Sequence, residues 1–124
     1  MLWNKVSGKP SSKQIGDNGE LIAKRYLLAQ GLEIVTQNFN CRLGEIDIIG
    51  KDKNHLIFIE VRYRQQQSFG GALASVDLKK QRKLIKTASW YLQQHKLTNK
   101  AACRFDVFAI SGEPQSLIYQ WIKD

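Results

Sequence analysis

Between residues 43 and 63 the chain sets three carboxylates inside two strongly apolar runs, LGEIDIIG and HLIFIEVRY, separated by the turn-forming tetrapeptide KDKN. Such a hairpin cannot stand bare in water. It must be covered on at least one side by other elements, and yet Glu45, Asp47 and Glu60 lie within it. Strand alternation sends Glu45, Asp47 and Ile49 to one face, with Leu56, Phe58, Glu60, Arg62 and Arg64 sharing a face of the next strand. A four-residue loop would pair Gly50 with His55, hence Asp47 with Phe58 and Glu45 with Glu60. All three acids then share a face, with Asp47 diagonal to Glu60. Like charges so placed repel, and a compensating cation is needed: Arg62, Arg64 or a bound metal.

The covering elements are legible as amphipathic helices. Residues 12 to 30 carry Ile15, Gly19, Ile22, Ala23, Tyr26 and Leu27 on one face, Glu20 at its border and Gly31 as the stop. Residues 78 to 92 put Leu78, Gln81, Leu84, Ile85, Ala88, Tyr91 and Leu92 on a broad inner face, after Ser75 or Asp77 as the cap. Lys79, Arg82, Lys83 and Lys86 fall on the opposite face. Strands are expected at 32–38, 43–50, 55–63, 103–111 and 116–122, giving the order α-β-β-β-α-β-β. With 124 residues this is one α/β domain from residue 12 onward, preceded by a loose tail at 1–11.

Charge narrows the partner. The net +8 is matched by the window 78–104, which holds eight bases and no acid. A basic helix face of that kind attracts polyanions by neutralising phosphates and releasing counterions. Phe69, in the glycine-flanked loop QQQSFGGALA, is the best placed aromatic for stacking on a base. No apolar run approaches the ~20 residues of a membrane span. Two cysteines, Cys41 and Cys103, with no C-x-x-C spacing give no disulfide framework, so a cytoplasmic location is expected. Motifs of other chemistries, G-x-S-x-G, H-E-x-x-H and G-x-G-x-x-G, are missing. Acids suited to oxygen coordination beside a basic helix point instead to Mg²⁺ or Mn²⁺ held by Asp47 and Glu60, acting on a phosphodiester.

The run Gly44-Glu45-Ile46-Asp47, then Phe58-Ile59-Glu60-Val61-Arg62-Tyr63-Arg64, Lys80-Gln81 and Arg104-Phe105-Asp106-Val107 resembles the bacterial YraN-like family. That group is similar to Holliday junction resolvases within the PD-(D/E)XK nuclease superfamily. The resemblance implies a restriction-endonuclease-like αβββαβ core, a mixed β-sheet flanked by helices, here with an extra C-terminal strand. It puts Asp47 and Glu60 on the two motif acids, Glu20 on an acid supplied by the first helix, and Gln81 on a helix glutamine directed at the site. The chain departs from the pattern at the motif lysine, where Arg62 stands. A guanidinium stays charged and cannot serve as a base, but it can clamp a phosphate.

The expected function is therefore a nucleic-acid-binding, metal-dependent endonuclease acting on DNA, branched forms included. Asp47, Glu60, Arg62, Glu20 and Gln81 would form its site, with Arg64, Phe69, Lys79, Arg82, Lys83 and Lys86 on the backbone. Two-fold junction substrates, in the resemblance, suit a homodimer. The alternative is a non-catalytic nucleic-acid-binding protein that keeps the fold. A third reading is a module that docks its basic helix on an acidic protein.

Overall fold

The computed structural model describes residues 12–65 and 75–123, so the tail at 1–11 and Phe69 lie outside the described residues. Helix α1 spans Ser12–Ala29. It stops at Gly31, whose φ is +90°, with Gly31 N–H donating to the Leu28 carbonyl and Leu32 N–H to that of Leu27, both at 3.0 Å. This left-handed closure satisfies the last helical carbonyls and favours a residue without a Cβ.

Strands β1 (Glu33–Cys41), β2 (Gly44–Lys51) and β3 (Leu56–Arg64) follow, then helix α2 (Leu78–Gln94), β4 (Cys103–Ser111) and β5 (Ile118–Ile122). Asp77 caps α2, its carboxylate accepting from Lys80 N–H at 2.8 Å. The strands form one sheet in the order β1-β2-β3-β4-β5. Every pair is antiparallel except β3 with β4, which is parallel and therefore requires the crossover that contains α2. The result is a mixed α/β fold, in the element order expected.

Each face of the sheet has its own core. Ile22, Ala23 and Leu27 of α1 pack with Ile48, Ile57, Ile59, Phe108 and Ile110, whereas Ala88 and Tyr91 of α2 pack with Ile46, Ile49, Leu56 and Phe58. Each of these large side chains contributes roughly 1.5–3 kcal/mol by leaving water. That gain is what carries Glu60, in the middle of the apolar run of β3, down to 7% exposure.

Three expectations are corrected. The hairpin register is Lys51↔Leu56, Gly50↔Ile57, Ile49↔Phe58 and Ile48↔Ile59, so Gly50 does not pair with His55, nor Asp47 with Phe58, nor Glu45 with Glu60. The cause is Asp52, whose side chain accepts from the N–H groups of Asn54 and His55 at 2.8 and 2.7 Å and tightens the turn. Those bonds also hold the Asp52 carboxyl below its usual range.

Second, alternation breaks within β2. Ile46 belongs to the α2-side core and Ile48 to the α1-side core, although a regular strand would put both on one face. Facing this break in β1, between the pairs Gln37↔Ile48 and Phe39↔Ile46, Asn38 has φ +51°. Asparagine tolerates that left-handed conformation better than most residues. Glu45 and Asp47 therefore do not share the surroundings of Ile49.

Third, α2 is rolled relative to its expected face. Thr87, Ala88 and Tyr91 are the buried residues, while Gln81, Leu78 and Ile85 are exposed. Gly44 permits this seating: a Cβ there would lie 2.7 Å from Thr87 Oγ1. The helix settles over β2 at that glycine, and its expected apolar edge is left beside a groove lined by Phe105, Val107 and Ile122.

Candidate metal centre and phosphate cleft

Four elements bring charged groups to one cleft of about 620 Å³: Glu20 from α1, Glu45 and Asp47 from β2, Glu60 and Arg62 from β3, and Lys79, Lys80 and Lys83 from α2. Its origin lies in the sheet. The β2–β3 ladder ends at Ile48↔Ile59, and the next link is made by a side chain, Asp47 Oδ2 accepting from Val61 N–H at 2.8 Å. Divergence of the strands beyond that link opens the floor of the cleft. The break in alternation then turns Glu45 and Asp47 toward α1, where carboxylate oxygens of Glu20, Glu45 and Asp47 lie within 4.8 Å of one another.

Electrostatics follow from this crowding. The Glu20 carboxyl is raised above its ordinary range, first by burial and then by the charges of Asp47 and Glu45, against a lowering contribution from Asn38. Its Oε1 is buried and has no hydrogen-bond partner among the described residues. Glu60 is pushed up to about 7, chiefly by burial, then by the charge of Asp47 and a hydrogen bond with it, while Lys80 and Arg62 pull it down. The hydrogen bond between the two carboxyls therefore favours the protonated form of Glu60, the more buried of the pair.

Cations surround Glu60 on its other side. Its Oε2 lies 3.4 Å from Arg62 Nη1 and 3.6 Å from Lys80 Nζ. Arg62 is further engaged, donating from Nε to Ser75 Oγ at 2.8 Å and from Nη2 to the Ser75 carbonyl at 3.2 Å. It is a tie between β3 and the approach to α2.

The residues singled out from sequence separate into two groups. Asp47, Glu60, Arg62, Glu20, Lys79 and Lys83 line the cleft. Gln81 does not: its amide donates to the Val76 carbonyl at 2.9 Å, and it lines the apolar groove beyond Glu60. Arg64 is exposed at the end of β3 and donates to the Tyr63 carbonyl at 3.2 Å. Arg82 and Lys86 are exposed and are not among the cleft residues. The basic face is therefore split into one row on the cleft and one turned away.

From the sequence Glu45, Lys80 and Asn38 have no assigned role, Lys80 entering only in the Lys80-Gln81 motif of the family resemblance. Lys80 sits three residues after the cap Asp77, a spacing that could have phased the first turn of α2 more accurately than apolar residues alone. Asn38, polar within an otherwise β-prone run, was the available signal for an irregularity in β1.

No helix among the described residues is long and apolar enough to cross a membrane. Over residues 19–110, a span that contains every cleft residue named above, the chain matches the family described as Uncharacterised protein family UPF0102. A UPF0102 protein of Alcanivorax borkumensis is 48% identical over 115 residues, covering 92% of this chain and 92% of its own. Similar proteins of the same description occur in Methylobacillus flagellatus, 45% identical over 112 residues and covering 90% of this chain and 96% of its own, and in Coxiella burnetii, 48% identical over 113 residues, covering 91% and 92%. The chain belongs to the uncharacterised protein family UPF0102, the YraN-like group its strand and helix motifs resembled.

Proposed function

We propose that this protein is a divalent-metal-dependent endonuclease of the PD-(D/E)XK type, built on a restriction-endonuclease-like core and hydrolysing phosphodiesters of DNA, branched DNA included. One observation carries the reading. Glu20, Glu45 and Asp47 converge within 4.8 Å on a cleft that Lys79, Lys80 and Lys83 also line, so ligands for a hard cation and for a phosphate backbone share one space.

The donor set fits the metal. Carboxylate oxygens suit Mg²⁺ or Mn²⁺, and the unpartnered, buried Oε1 of Glu20 is an atom that a cation would satisfy. Glu20, Glu45 and Asp47 would hold the ion. Of the Asp47 and Glu60 pair named from sequence, Asp47 keeps that role, while Glu60 orients it through their hydrogen bond. When bound, such an ion lowers the pKa of its water and offsets charge on a phosphate oxygen. Lys79 and Lys83 would hold flanking phosphates, and Arg62 keeps Glu60 and Ser75 in place.

A second reading, nucleic-acid binding without turnover, is favoured by the engagement of Arg62 with Ser75 and Glu60, which ties down the cation that stands in place of the motif lysine. Cleavage of linear and branched DNAs in Mg²⁺ and in Mn²⁺ separates the two. The nuclease reading expects cleavage by the wild type and its loss in Asp47→Ala and Glu60→Ala. Full cleavage by both variants would place the chemistry elsewhere, and binding without cleavage by the wild type would leave the second reading standing.

A further inference from the structure

We propose that Lys80, reaching in from the first turn of α2, is the side chain that contacts a non-bridging oxygen of the phosphate bound in the cleft, in place of the cation at position 62 of β3. The proposal rests on the nucleic-acid reading above and assigns within it a residue that neither strand motif contains. Its substrate class is a phosphodiester.

Arg62 is poorly suited to the task. Its guanidinium is distributed over Ser75 Oγ, the Ser75 carbonyl and Glu60, and its side chain is only 20% exposed. Swinging it onto a phosphate would break hydrogen bonds that a planar fork makes together, and would leave a part-buried carbonyl and carboxylate short of donors. Position 62 works as a brace.

Lys80 has the opposite character. Its side chain is 39% exposed, and its ammonium lies 3.6 Å from Glu60 Oε2, an ion pair too long to be a well-formed hydrogen bond. Three N–H donors on a flexible stem can turn from Glu60 to a phosphate oxygen without losing a short bond. The root of that stem is nevertheless held: Asp77 accepts from the Lys80 N–H itself at 2.8 Å. Pairing with Glu60, which is hydrogen-bonded to Asp47, keeps the ammonium beside the carboxylate triad. Lys79 and Lys83 line the same cleft and are exposed, and would serve the flanking phosphates.

The test uses the full chain and two readouts. In the first, acetylation of each lysine is followed by mass spectrometry with and without a short DNA duplex in Ca²⁺. Lys80 is expected to slow by about tenfold when DNA is bound, while Lys96 and Lys100, off the cleft, keep their rates. In the second, cleavage in Mn²⁺ is compared for Lys80→Met, Lys80→Arg and Arg62→Gln, with melting curves to establish folding. Lys80→Met is expected to lose about 100-fold in rate with DNA affinity nearly unchanged, Lys80→Arg to recover part of it, and Arg62→Gln to lose less than about tenfold. Wild-type cleavage by Lys80→Met, or unaltered acetylation of Lys80 with DNA bound, overturns the proposal alone. A wild type that protects Lys80 but cleaves nothing overturns the nuclease reading and keeps Lys80 as the phosphate contact. Absence of DNA binding overturns both.

Discussion

Asp47 accepts the backbone N–H of Val61 at 2.8 Å, replacing with a side chain the ladder bond that β2 and β3 would next have formed. That single substitution of carboxylate for carbonyl satisfies a strand amide and fixes the carboxylate at the floor of the cleft. Glu20, Glu45 and Glu60 gather around the carboxylate held there.

Asp47→Asn keeps an oxygen for Val61 and removes the charge. Because that charge raises Glu60, the Glu60 midpoint should fall below its value of about 7, which carbon-13 NMR of the glutamate carboxyls can follow. Mn²⁺ affinity measured by calorimetry should drop by at least about tenfold. An unchanged affinity would show that Asp47 is not a ligand.

Glu60 makes stability depend on pH in a defined direction. Its folded-state value of about 7 lies above the ordinary 4.5, so between those values the folded protein binds more protons than the unfolded chain. The contribution is fully present below about pH 4.5 and is lost as pH rises through 7. The loss is on the order of 3 kcal/mol. Urea denaturation at pH 5 and pH 8 should reveal it as a difference between wild type and Glu60→Gln, which carries no titrating proton; equal pH profiles would rule it out.

Gly44→Ala should destabilise the protein by about 1–3 kcal/mol, since the new methyl would meet Thr87 Oγ1 at 2.7 Å and the residue holds φ +156°. Thr87 has little room to yield: it is fully buried, and its hydroxyl donates to the Lys83 carbonyl at 2.9 Å. Thermal melts read the cost. Pairing the change with Thr87→Ala should recover part of it.

The two rows of α2 should act differently on DNA. Lys79→Ala with Lys83→Ala should weaken binding and reduce the log–log salt slope by about 2, roughly one unit for each phosphate no longer neutralised. Arg82→Ala with Lys86→Ala, turned from the cleft, should change the slope by less than about 1. Fluorescence anisotropy across a salt series distinguishes them. Equal slopes for the two pairs would mean that the cleft is not the phosphate path.

How much of this was legible beforehand differs by residue. The closing of α1 at Gly31 and the capping of α2 are chemistry of a few neighbouring atoms; the first appears as expected, and of the two candidate caps, Ser75 and Asp77, the helix uses Asp77. The hairpin register was missed by two residues although its cause, Asp52, is itself local; an aspartate opening a turn-type tetrapeptide is a recognisable Asx turn. The structure brings Asp47, Glu60 and Glu20 to one cleft, but the strand-face argument that joined Glu45, Asp47 and Glu60 assumes a regular alternation that β2 does not keep, and Glu20 enters from the sequence only through the family resemblance. The apolar wheel puts Gln81 on a broad inner face with Leu78 and Ile85, whereas the helix seats on Thr87, Ala88 and Tyr91.

By itself, then, the sequence determined the element order, the helix ends, the strand runs and the presence of acids within them, because each depends on periodicity or on hydrogen bonds between residues a few positions apart. Only the tertiary structure decided which acids meet. Glu20 approaches Asp47 through α1 packing on the sheet, Glu45 joins them because alternation breaks opposite Asn38, and Lys80 enters because Gly44 lets α2 settle on β2. Those are agreements between distant segments, set by how whole faces pack, and no local pattern encodes them.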